Sequence, residues 1–325
     1  MEILYVTGIF TLRNCKRKYS VQQIKKSAMK RILFLLCFPG WMLAQQPQGN
    51  NSLSPKWEEL TAPDFVRAVE KSGKVCIVPL GIIEKHGPHM PLGTDLIIVR
   101  ATVLAAVRQE YAVVFPEFYT GQINEARHQP GTVAYSPELV WKMLQETCDE
   151  IARNGFEKII LVNGHGGNNS LLPYFCMSLL SQKRNYAVYL FQPRTDSAAH
   201  ARVEKLMKKL PPDAGGHAGT TEASVMKVVR PDLLKMDQVS SESGENLNRL
   251  SALPDAYTGI WWYARYPNHY EGNAKYASEE LGKALFDEDV VQLVRMIREV
   301  KADTRVKELQ EQFYREAENP LNTKQ

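Results

Sequence analysis

A chain of 325 residues, 44% of them hydrophobic, is long enough to bury a sizeable core, and no low-complexity tract or internal repeat divides it. Its formal charge of +4 originates in the amino terminus: residues 1–44 carry eight Lys or Arg against one acid, leaving 32 bases and 35 acids in the other 281 residues. A mildly acidic body gives no electrostatic footprint for nucleic acid, so no nucleic-acid partner is expected.

From Met29, a short basic stretch (Lys30, Arg31) leads into the apolar run 32–38, then Pro39-Gly40, with Ala44 standing before Gln45-Gln46. This is the pattern of a secretory signal peptide over 29–44, cleaved near Ala44 and too short to span a membrane. Residues 1–44 are thus a leader, 45–55 a polar linker, and 56–325 a single domain with no membrane span in the mature form. The protein is expected to be exported, periplasmic or secreted. A buried amino-terminal helix is the alternative, opposed by Pro39-Gly40 and the linker. Cys76, Cys148 and Cys176 lie in apolar contexts and read as core residues, and the absence of Cys-x-x-Cys excludes a zinc ribbon.

Phe65, Val66, Ala68 and Val69 predict a short amphipathic helix over 63–71, and residues 74–80 a buried strand. The stretch Gly81-Ile-Ile-Glu84-Lys-His86-Gly-Pro-His89-Met-Pro-Leu-Gly-Thr-Asp95 has too many Gly and Pro for a helix and reads as a rigid loop at the strand end. Glu84 and His86, two apart in extended chain, point to one side, where a carboxylate oxygen and an imidazole nitrogen can face one cation. Asp95, folded back by the bends, can bridge to a second. Alternatively, Asp95 caps the helix predicted from Leu96, and Glu84 and His86 are ordinary loop polars. A strand at 111–116 and a polar loop at 119–134 follow, with Glu125 and His128 read as solvated loop residues. Ser136-Pro137-Glu138 then opens a helix, serine at the cap and proline at the first position.

The unbroken Ile/Leu/Val run in 157–163 is what a central parallel strand buried on both faces looks like, and the Gly-rich turn after it sets His165 at a strand's carboxyl end, where open α/β sheets bind ligands. The turn lacks the spacing of a phosphate cradle. A strand at 186–192 and a helix at 199–210 precede His217. A helix starting near Gly219 places Glu222 in its first turn, as a ligand or as a plain cap. Trp261, Trp262, Tyr263, Tyr266, His269 and Tyr270 form an aromatic cluster read as core or subunit contact rather than substrate cage. A long helix is expected from Ala277, and 288–315 as a charged amphipathic helix on the surface. No Gly-x-Ser-x-Gly elbow and no suitably placed cysteine suggests covalent catalysis.

The pattern Glu84-x-His86-Gly-x-His89-x-Pro-x-Gly-x-Asp95 resembles the metal-binding loop of the creatininase (creatinine amidohydrolase) family. Pro130-Gly-Thr before Ser136-Pro-Glu, the turn Asn163-Gly-His165-Gly-Gly-Asn168, and His217-Ala-Gly followed by Glu222 resemble further family motifs, in order, over residues 56–290. The resemblance implies that Glu84, His86, Asp95 and His165 are metal ligands and His217 the catalytic histidine. Family members that hydrolyse creatinine carry an acidic ligand two places after the turn histidine, where this chain has Gly167; creatinine is therefore not expected as substrate, and Glu222 is expected to supply the missing carboxylate. The fold implied is a three-layer α/β/α sandwich around a mainly parallel central sheet, assembled as a homo-oligomer, a hexamer by family resemblance.

Carboxylate and imidazole donors without thiolate suit two divalent ions per chain, Zn, Mn or Fe. The expected activity is that of a metal-dependent amidohydrolase, in which a metal-activated water cleaves a C–N bond, other than a peptide bond, of a small cyclic amide or formamide. His217, titrating near the working pH, would pass a proton to the leaving nitrogen. An exported non-catalytic metal- or ligand-binding protein on the same fold, and a two-metal phosphoesterase, are the alternatives.

Overall fold

The computed structural model describes residues 53–194 and 198–323. The leader with its signal peptide, and the linker up to Ser52, lie outside the described residues. Among the described residues, four parallel strands, β1 (Val75–Leu80), β2 (Val113–Val114), β3 (Lys158–Asn163) and β4 (Ala187–Leu190), form one sheet in the order β2-β1-β3-β4. β1 and β3 pair in register from Val75 opposite Lys158 to Leu80 opposite Asn163, so both strands end at one level. The Gly164 N–H donates to the Leu80 carbonyl at 2.7 Å, and the two loops that follow leave the sheet side by side.

Alternation along the two central strands builds a core on each face. Cys76, Val78, Leu80, Ile159 and Leu161 pack against α1 (Ala62–Lys71), with α2 (Thr94–Val107) on the opposite face; α3 (Pro137–Arg153) and α4 (Leu171–Ser178) complete the first layer. Val75, Ile77, Ile160 and Val162 meet α2 and a long carboxyl-terminal helix. The result is a sheet covered by helices on both faces, the expected α/β/α sandwich. α3 starts as the sequence predicts, with Pro137 in its first turn and Ser136 Oγ accepting the Leu139 N–H at 3.3 Å. α2 does not: Gly93 is its N-cap with no side-chain cap, and Asp95 stands inside the helix.

After α5 (Ala198–Met207), α6 (Thr220–Val229) and the short α7 (Trp261–Arg265), the chain enters α8 (Glu279–Ala302) and α9 (Arg305–Ala317). The surface helix expected over 288–315 is thus two helices. Asp303 interrupts it by accepting the N–H groups of Arg305 and Val306 at 3.1 and 3.3 Å. α8 is not a surface helix either: Leu293 and Ile297 are fully buried against the sheet. Its charges mark one solvated side, while Val290, Leu293, Val294, Ile297 and Val300 form an inward stripe at helical spacing. α8 also packs on α6, where a Cβ at Gly282 would stand 1.9 Å from the Ser224 carbonyl oxygen.

Candidate metal centre

The loop after β1 is closed on itself. Glu84 N–H donates to the Leu92 carbonyl at 3.0 Å and Thr94 Oγ1 to that of Pro91 at 2.7 Å, which turns the chain so that the first turn of α2 faces the start of the loop. Asp95 Oδ1 thereby comes 3.0 Å from His86 Nε2. The turn after β3 brings His165 Nδ1 to 2.8 Å from Glu84 Oε1 and 3.1 Å from Asp95 Oδ2. From the first turn of α6, Glu222 Oε2 approaches His86 Nε2 at 3.8 Å and accepts the Ala218 N–H at 2.6 Å. All five ligand candidates and His217, whose ring centroid lies 4.6 Å from that of His86, meet at one place at the carboxyl ends of the strands.

Backbone carbonyls decide which nitrogens face inward. His165 Nε2 lies 2.7 Å from the Gln122 carbonyl and His86 Nδ1 3.2 Å from the Glu84 carbonyl, and since a carbonyl only accepts, both nitrogens carry the ring proton. Their other nitrogens, His165 Nδ1 and His86 Nε2, therefore look at carboxylate oxygens. Glu84 Oε1 and Asp95 Oδ2 are buried and make no hydrogen bond. Lone pairs crowded on lone pairs in a buried place call for cations, and oxygen with imidazole nitrogen suits zinc, manganese or iron. Glu84 Oε1 and Asp95 Oδ2 both lie beside His165 Nδ1, and Asp95 Oδ1 and Glu222 Oε2 beside His86 Nε2. Donor atoms of Glu84, His86 and Asp95, of His86, His217 and Glu222, and of Glu84, His217 and His269 each lie within 4.8 Å of one another.

The electrostatics agree. Burial opposes ionisation of Glu84, yet the His165 and His217 rings hold its carboxyl well below the usual range. Burial also opposes a charge on His86, but Asp95, with Glu222 and Glu84, raises it to about 10; His165 is likewise raised against burial by Glu84 and Asp95. Protons thus occupy the positions that cations would take. Burial lifts Glu222 to about 7, although 28% of its side chain still reaches solvent in the cavity. His217 departs from expectation: burial, the largest influence, pushes it down to about 3, so the ring is neutral at working pH. Its Nε2–H donates to the Lys85 carbonyl at 3.1 Å, leaving Nδ1 bare.

A cavity of about 430 Å³ opens over the centre. Trp261 and Trp262 of the aromatic cluster line it together with Tyr257, so this part of the cluster faces the cavity, while His269 and Tyr270 are buried. Glu125, read as solvated, also lines the cavity and accepts from Gln122 Nε2 at 2.9 Å. His128 stays exposed and fixes the aromatic segment through the Pro267 carbonyl at 2.8 Å. His89, the spare histidine of the loop, is buried beside Tyr270, with burial lowering it to about 4. A larger cleft of about 550 Å³ behind the Gly164 turn contains none of the centre's carboxylates. The residue that sequence reasoning missed is His269. Its Nε2 is hydrogen-bonded to Glu84 Oε2 across 185 residues of chain, and its only sequence signal was a histidine among aromatic residues.

The family model described as creatininase, creatinine amidohydrolase, matches residues 58–297. The chain belongs to the creatininase family. Among its creatininase-family relatives, the mycofactocin precursor peptide peptidase of Mycolicibacterium smegmatis is 32% identical over 169 residues, which is 50% of this chain and 61% of that protein. The creatinine amidohydrolase of Pseudomonas putida is 25% identical over 192 residues, 56% and 74% of the two chains. A 2-amino-5-formylamino-6-ribosylaminopyrimidin-4(3H)-one 5'-monophosphate deformylase of Methanobrevibacter smithii is 25% identical over 229 residues, 66% and 86%. The crystal structure of a creatininase superposes with a TM-score of 0.65 at 23% identity, over 78% of this chain and 100% of that one. A manganese creatininase does so at 0.63 and 22%, over 77% and 100%. The fold is therefore that of the creatininases.

At Gly167 the space is closed to any side chain for a steric reason. A Cβ there would stand 2.3 Å from His165 Nε2 and 2.5 Å from the Gln122 carbonyl oxygen, on top of the hydrogen bond between them. No side chain at 167 fits while that bond orients His165, and a carboxylate nearby is that of Glu222, 3.8 Å from His86 Nε2.

Proposed function

We propose that the protein is a metal-dependent amidohydrolase that cleaves a C–N bond of a small cyclic amide or formamide, other than creatinine, with a metal-activated water. The observation that carries this reading is the convergence of His86 and His165 on the carboxylates of Glu84, Asp95 and Glu222, with His217 beside them. Glu84, Asp95 and His165 would hold one divalent ion, and His86, Asp95 and Glu222 the second. Such a pair, when bound, supplies an activated water at neutral pH and polarises the carbonyl under attack. His217, whose Nδ1 is left without the ring proton, would take a proton from the attacking water and return it to the leaving nitrogen. Trp261 and Trp262 pack on the substrate and exclude bulk water.

Among the described residues lining the cavity there is no Lys or Arg, which disfavours a phosphoesterase and any phosphate-bearing substrate. A non-catalytic binding protein would have no need of the buried neutral His217. Export through the segment 29–44 and assembly into a homo-oligomer belong to the same proposal; the mass of the amino terminus of protein recovered from its native compartment and light scattering of the purified form test them.

The deciding experiment measures metal content and hydrolysis of lactams, formamides and short peptides by residues 45–325, beside His217→Ala. About two ions per chain in both proteins, with turnover in the variant lowered by about 10²- to 10⁴-fold, is the expected result. Undiminished turnover by the variant would remove His217 from its role. Metal uptake without turnover of any amide would favour the binding protein, and preference for peptides would move the substrate class toward that of the mycofactocin relative.

A further inference from the structure

We infer that His269 is a positioning residue for Glu84, locked in one tautomer by Trp262, and is not itself a metal ligand. Its consequence for the cation rests on the metal-dependent reading above; its geometry does not. An indole N–H only donates, and Trp262 Nε1 lies 3.0 Å from His269 Nδ1, so Nδ1 presents a lone pair. The ring proton is then on Nε2, which is hydrogen-bonded to Glu84 Oε2. The other tautomer and the doubly protonated ring fail at the same contact, because each sets an N–H against the indole N–H.

His269 consequently has no lone pair left for a cation, although its donor atom lies within 4.8 Å of those of Glu84 and His217. In this it is the inverse of His86 and His165, which turn one N–H to a backbone carbonyl and the other nitrogen inward, toward carboxylates that a cation can share. One oxygen of Glu84 is thereby spoken for. The other, Oε1, is left 2.8 Å from His165 Nδ1. A histidine or other donor behind a metal-binding carboxylate fixes its orientation and tunes its affinity.

The backbone at His269 was built to hold this ring. Its φ of +51° is one that residues other than glycine rarely adopt, and His269 is only 2% exposed. The conformation is pinned on both sides: His269 N–H donates to the Tyr266 carbonyl at 3.0 Å, and its own carbonyl accepts the Gly87 N–H of the metal loop at 3.3 Å. Two residues on, Glu271 N–H donates to the His217 carbonyl at 2.9 Å, so the same segment braces the catalytic histidine.

The test uses ¹⁵N-histidine NMR on residues 45–325 before and after cation addition, with chelator-competition affinities for Zn and Mn, on wild type, Trp262→Phe, His269→Leu and His269→Gln. The wild type is expected to show His269 as the Nε2–H tautomer in both conditions, and Trp262→Phe a mixture of tautomers. His269→Leu should bind one of its ions about 10- to 100-fold more weakly. His269→Gln, whose amide can still donate to Glu84, should recover most of that loss, which a purely packing role would not allow. A cation-coordinated or Nδ1–H signal for His269, or wild-type affinity in His269→Leu, overturns the inference. If His269→Leu does not fold, the tautomer and affinity of Trp262→Phe decide. If the wild type binds no cation, the metal-dependent reading fails on its own, while the tautomer measured without cation still decides the state of His269.

Discussion

At the scale of single residues, the centre is a set of acceptors waiting for positive charge, and protons and cations compete for it. His86, raised to about 10, and His165, raised by Glu84 and Asp95, keep their second protons through neutral pH until a cation displaces them. Because folding raises these groups, lowering the pH favours the protonated form and weakens the metal, whereas raising it toward 10 strengthens the metal. Cation uptake at pH 8 should therefore release about two protons, and more below pH 7, where Glu222 is also protonated. Calorimetric titration in two buffers of different ionisation enthalpy measures this directly; uptake without proton release would show that these histidines are not the ligands. The residues legible in the sequence were those whose partners lie within one short motif: Glu84, His86 and Asp95 are brought together by a loop whose Gly and Pro bends could be read beforehand. His269 was not legible, because its role depends on a contact from a distant strand-end loop and on a left-handed backbone that nothing in Pro267-Asn268-His269 announces.

At the scale of elements, the central strands were recognisable because burial on both faces leaves an unbroken apolar run, as in residues 158–162 of β3. Edge strands were overestimated for the converse reason: past the two paired residues of β2 the apolar stretch runs on without regular strand pairing, the Phe115 N–H donating to the Ile77 carbonyl and Phe118 making an isolated bridge to Leu80. The carboxyl-terminal helices were misjudged because charge on one side of α8 concealed its inward stripe. That helix matters to the site, since α6, which carries Glu222, lies directly on it at Gly282. Gly282→Ala is expected to destabilise the protein by about 1–3 kcal/mol through overpacking against Ser224 and to weaken the second cation by shifting Glu222. Gly259→Ala, where a Cβ would meet nothing within 4 Å, is the control. Thermal unfolding and chelator competition on both variants check the expectation; equal behaviour of the two would mean that α6 and α8 can separate without strain.

At the scale of the whole molecule, the buried carboxylates of Glu84 and Asp95 and the half-buried one of Glu222 stand where a strand-end loop, α2 and α6 converge, so ions that neutralise them would also tie these parts together. A ligand at a hundred times its dissociation constant stabilises the folded state by about 2.7 kcal/mol, which corresponds to a rise in Tm of about 5–10 °C for a domain of this size. Stripping the cations with a chelator should lower Tm by that amount and readdition should restore it; an unchanged Tm would mean that the centre holds no tightly bound ion. The contact between Glu84 and His269 adds a matter of timing. These partners are separated by 185 residues, so during synthesis the loop that bears Glu84 leaves the ribosome long before the segment that orients it. Until that segment arrives, the early chain offers only loosely held carboxylates, which bind metal weakly and with little discrimination. If Glu84 needs His269 to hold its orientation, a chain interrupted before His269 keeps the ligands of the first motif but loses the group that aims Glu84.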